Sequence, residues 1–89
     1  MMSNRHWVVK VGLEAQEADL EAAAQSDLIE RIEKLHMEVR SVIAIGSRVL
    51  VVEPQPIVDI EVLAARIAAW PGVSYARAVL RDDAGANAA

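Results

Sequence analysis

The chain has 89 residues, 54% of them hydrophobic, with 9 Lys and Arg against 13 Asp and Glu, a net charge of −4 and a pI near 5.0. That length supports one small domain. The absence of cysteine excludes a disulfide framework, a thiolate zinc site and a cysteine nucleophile, and the acidic balance with scattered arginines argues against a surface that tracks nucleic-acid phosphates.

The opening residues MMSNRHWVVKV lack the long apolar stretch of a signal peptide, and no run nears the roughly 20 apolar residues of a membrane span. As given, the chain reads as cytoplasmic, or as secreted if it is excised from a longer precursor. Residues 6–13 alternate Trp7, Val9, Val11 and Leu13 with His6, Val8, Lys10 and Gly12, the period of a strand. Residues 14–18 read as a loop. From there strong helix formers run to about His36, with Leu20, Ala24, Leu28, Ile32 and Leu35 forming one apolar stripe. A capping pair of Asp27 and Glu30 offers an alternative start for a second helix.

Residues 39–45 and 48–53 are strand-like and flank Gly46-Ser47, which suits a two-residue II′ hairpin turn. Pro54 and Pro56 stop the second of these strands. Asp59 is a good N-cap before Ile60, Leu63, Ala64 and Ile67, one face of a helix. Pro71-Gly72 ends that helix, residues 73–80 form a last strand, and residues 81–89 are expected to be a flexible tail.

The order β-α-β-β-α-β over residues 1–80 predicts an α+β domain of ferredoxin-like pattern, with both helices on one face of a four-stranded antiparallel sheet. The strands are apolar on both sides, where a half-buried sheet should alternate with polar residues. The second face is therefore expected to be a working surface. Aligning the strands by their apolar residues assigns Val8, Val42, Ala44, Leu50, Val52, Ala76 and Ala78 to it, a patch larger than a soluble monomer usually leaves exposed.

No catalytic constellation competes with that surface. His6 and His36 have no further ligands at metal spacing, so no metal or cofactor is expected. Ser26, Ser41, Ser47 and Ser74 lack a nucleophile elbow. Gly46-Ser47-Arg48 reads as a turn rather than a phosphate contact, Glu14, Glu17, Asp19 and Glu21 as a solvated helix face, and Trp70 as a lid on the core edge.

The stretch LAARIAAWPGVSYARAVLRDD resembles the C-terminal half of subtilisin-propeptide-like inhibitors in Pro71, Gly72, Val73 and Tyr75, and the strand HWVVKV is similar to that family's opening strand. It departs from the family at Ala76-Arg77-Ala78-Val79, where an acidic stretch is usual. The resemblance implies a sheet face docked on two surface helices of a serine protease, with the tail in the active-site cleft. The chain would then be an inhibitor and folding chaperone, making contacts through the strand that contains Tyr75 and through Leu80, Arg81 and onward to Ala84. Pro-Gly-Val before a last strand is also similar to ligand-sensing domains of transcription regulators, and in length and layout the chain is similar to the small chaperone that binds the signal peptide of periplasmic nitrate reductase. The alternative expectation is accordingly a sheet-to-sheet homodimer that senses a small ligand or serves in assembly.

Overall fold

The computed structural model describes residues 7–15, 18–46 and 48–81. They form β1 (Trp7–Leu13), α1 (Ala18–Glu33), β2 (Val39–Ala44), β3 (Val49–Pro54), α2 (Ile60–Ala68) and β4 (Val73–Leu80). The strands make one antiparallel sheet in the order β2-β3-β1-β4, so the class is α+β with the expected succession of elements.

Both helices are anchored by the residues that their spacing singles out, α2 more completely. The Asp59 carboxylate accepts from the backbone N–H groups of Glu61 (3.1 Å) and Val62 (3.3 Å), satisfying donors that the first turn leaves free. Leu63, Ala64 and Ile67 are then buried, and Ile60 packs beside them. Beyond α2, Gly72 takes a φ of 85°, a left-handed conformation that glycine adopts without steric cost.

The first helix is one continuous element from Ala18, with no break at Asp27, and gives way at Glu33 to a turn over residues 34–38. Only the later part of its stripe reaches the core. Leu28 and Ile32 are buried and Leu35 packs against them, whereas Leu20 is half exposed. α1 packs on the β2 side of the sheet and α2 over β1 and β4.

The strand registers correct the assignment of faces. Val9 pairs with Val52 and Val11 with Leu50 on one side of β1, and with Ala78 and Ala76 on the other. Val42 and Ala44 pair with Val52 and Leu50. Directly paired residues share a face, so Val42, Ala44, Leu50, Val52, Ala76 and Ala78 lie on the helix side with Val9 and Val11. Leu50 and Val52 are completely buried in the core, and Val42 and Ala76 pack against it. Of the seven residues grouped by apolar alignment, Val8 alone is on the opposite face.

Two bulges and a loop change the phase of the strands. Val39 pairs with Pro54 but Ser41 with Glu53, so Arg40 is an extra residue. Ser74 is likewise extra between Val73, opposite Leu13, and Tyr75, opposite Gly12. Val39 and Val73 consequently enter the core, whereas Ile43 and Tyr75 sit on the other face. In the hairpin the Ile45 N–H donates to the Val49 carbonyl at 3.0 Å, closing a loop over residues 46–48. Gly46 does not take a positive φ, so the two-residue II′ turn is not formed.

Leu50→Ala is expected to lower stability by roughly 3 kcal/mol, as truncation of a completely buried leucine does, while Val51→Ala one position along costs under about 1 kcal/mol. Urea unfolding of the two variants checks the inversion, which would be refuted by equal midpoints.

Candidate functional site: the uncovered sheet face

The face turned away from the helices is assembled in rows that run across the strands. In the middle row Ile43 of β2 pairs with Val51 of β3, Val51 with Lys10 of β1, and Lys10 with Arg77 of β4. The next row holds Val49, Gly12 and Tyr75. On the other side lie Ser41 and Glu53, which pair, and Val8 and Val79, which pair. No other described element covers these residues.

Long side chains of the face shield the central strand. Arg81 Nη2 donates to Glu53 Oε2 at 2.6 Å, and the Ser41 hydroxyl donates to Glu53 Oε1 at 3.1 Å. Since β1 lies between β4 and β3, the Arg81–Glu53 pair straps over it on the side where Val8 is buried. Lower down, the Tyr75 ring lies directly on Gly12, where a Cβ would come within 2.1 Å of Tyr75 Cε2. The Arg77 guanidinium sits 5.0 Å from the centre of that ring, in cation–π range.

Between these two coverings Lys10 is only 7% exposed and makes no ion pair or hydrogen bond with any described residue. No buried side-chain nitrogen or oxygen among the described residues lacks a partner. The long aliphatic stem of Lys10 is enclosed by the face.

Beside this basic strip the face is apolar. Val8, Ser41, Ile43, Ile45, Val51, Glu53 and Arg81 line a shallow depression of about 240 Å³, and Ile43 is 59% exposed. A second groove of about 500 Å³, between α1 and the Pro71-Gly72 turn, is lined by charges of both signs from Asp27, Glu30, Arg31 and Lys34. Trp70 closes the core edge nearby, with the Arg31 guanidinium 5.3 Å from its ring.

Of the residues singled out in the sequence, Val8, Tyr75 and Arg81 are brought together on the uncovered face. Leu80 pairs with Trp7 on the helix side and is 42% exposed. His36 lies exposed in the turn after α1, its carbonyl accepting from Gln55 Nε2 at 3.4 Å. Glu21 approaches Arg48 at 3.5 Å. His6, Glu17, Ser47 and the tail from Asp82 to Ala84 are outside the described residues. Lys10, Ser41, Ile43, Val51, Glu53 and Arg77 were not among the expected contacts. The signal for them was the polar residue in the middle of each strand, since Lys10, Ser41, Glu53 and Arg77 all share this face.

Among the described residues no group of three or more His, Cys, Asp or Glu is placed to hold a metal ion, and no described helix is long and apolar enough to cross a membrane. No protein-family model, curated protein or solved structure matches the chain.

The carboxyl of Glu53 has a lowered pKa. The hydrogen bond from Arg81 holds its carboxyl below the ordinary value of 4.5, with help from Ser41 and from the charges of Arg81 and Arg40, against an opposing effect of burial. A folded-state pKa below the unfolded one means that the interaction stabilises the fold fully above the ordinary pKa. That contribution is lost as pH falls through the lowered value. Glu53→Gln is therefore expected to reduce stability at pH 7 by about 1 kcal/mol or less, the range for an exposed pair. The gap from the native chain should close on acidification below the ordinary pKa, as followed by thermal melts at stepped pH. A gap that widens in acid would refute this role.

Proposed function

We propose that the protein is a non-enzymatic binding module of ferredoxin-like architecture that works by covering its open sheet face with a protein partner. The strand order β2-β3-β1-β4 supports that architecture. The observation that carries the function is the uncovered face itself, which offers an apolar depression with Ile43 well exposed beside a strip of aromatic and basic side chains. A partner that buries the depression gains roughly 25 cal/mol for each Å² of apolar surface removed from water, before the costs of association. The resemblance of Pro71, Gly72, Val73 and Tyr75 to subtilisin-propeptide-like inhibitors points to a subtilisin-type serine protease as the class of partner.

A second copy of the chain is a poorer occupant. Lys10 and Arg77 sit side by side in the middle of the face, and face-to-face pairing of two copies sets these charges against their like.

Titration of a subtilisin-type protease with the purified chain is expected to give stoichiometric inhibition. Ile43→Lys, at an exposed position, together with Val51→Lys, at a half-buried one, should weaken it at least tenfold in a chain that circular dichroism shows to be still folded. A folded chain that leaves the protease fully active sinks the protease assignment. Undiminished binding by the double variant sinks the face.

A further inference from the structure

The basic pair in the middle of this face has an unusual balance of charge and burial. Lys10 and Arg77 are direct cross-strand neighbours, an arrangement in which like charges destabilise a sheet. Lys10 is more than nine-tenths buried with no acid beside it among the described residues. Glu53, the one acid of the face among the described residues, is already bonded to Arg81 and Ser41. Arg77 is held over Tyr75, so its guanidinium is positioned, and no carboxylate among the described residues pairs with it.

We propose that Lys10 and Arg77 form a carboxylate-binding site that receives an acidic side chain from an extended, Glu- or Asp-bearing segment of the protein partner. This rests on the reading of the sheet face as a docking surface and supplies the partner's chemistry. Two cations side by side match the two oxygens of one carboxylate, and an ionised acceptor gives each donor a charge-assisted hydrogen bond. Val51 and Ile43 continue the same row, so an apolar side chain next to the acid has a place to pack. A lipid surface fits less well, because recognition of anionic headgroups takes a cluster of roughly 4–8 basic residues, whereas the described face offers Lys10, Arg77 and an Arg81 already bonded to Glu53.

The test uses a fluorescein-labelled decapeptide carrying four Glu among Leu and Ala, compared with the same peptide with Gln for Glu, in anisotropy titrations at low salt. The Glu peptide is expected to bind, and the Gln peptide at least tenfold more weakly. Lys10→Met and Arg77→Met should each weaken the Glu peptide about tenfold, the loss of one charge-assisted contact. Lys10→Met keeps the buried stem without its charge, so its melting temperature is expected to equal or exceed that of the native chain, which separates lost binding from lost folding.

Equal affinity for the two peptides overturns the carboxylate site but leaves the docking face standing. Absence of binding by the Glu peptide overturns the site as well, and the protease titration then judges the face by itself. Three further results would also overturn it: stronger binding to phosphatidylserine vesicles, a homodimer through this face in sedimentation, and peptide binding that appears only when residues 82–89 are deleted. They would assign the pair to a membrane, to a second copy or to the chain's own Asp82-Asp83.

Discussion

The middle position of β1 constrains everything else in this molecule. Among the described strands it alone touches both β3 and β4, and its residues Val9 and Val11 are completely buried between the sheet and the helices. Once those two side chains point toward α2, the partners opposite them on β3 and β4 must follow, and Leu50, Val52 and Ala76 join the core. The alternate residues Val8, Lys10 and Gly12 are then committed to the other side, where no described helix reaches. Among the described residues, the Arg81–Glu53 strap above and the Tyr75 ring below cover the strand on that side.

Much of the architecture is visible in local chemistry. Asp59 caps a helix because its carboxylate meets free N–H groups one turn on, and Gly72 turns the chain because it carries no Cβ. These are decided within a few residues, so a single sequence reveals them. The sheet faces are decided by distant pairing. Leu50 and Val51 are equally apolar, and nothing in their own neighbourhood says which meets the helices. The extra residues Arg40 and Ser74 shift the phase within β2 and β4, and the three-residue loop after Ile45 replaces the tighter turn that Gly46-Ser47 suggests. Grouping the strands by their rare polar residues gives the observed alignment, because a buried core tolerates Val or Leu on either side but not Lys10, Glu53 or Arg77.

The two sides of the sheet answer to different demands. On the helix side every large residue at the centre is aliphatic and hidden, the arrangement that maximises stability. On the other side two like charges are neighbours, one with its stem enclosed, and an exposed isoleucine lies next to them. A sheet chosen for stability alone would place an acid opposite Lys10, as cross-strand pairs of opposite charge are favourable. The departure from that choice is confined to the surface that the molecule leaves uncovered.

The distribution of charge also has a consequence at distances where no side chain makes contact. The chain as a whole is negative, yet among the described residues this one face carries more positive than negative charge. Such a molecule has an electric polarity directed through the thickness of its sheet. In the field of a negative patch it turns its sheet forward and its helices away before touching, which favours productive over unproductive encounters. Dissolved salt, by shortening the reach of that field, would slow the approach more than it loosens a complex already formed.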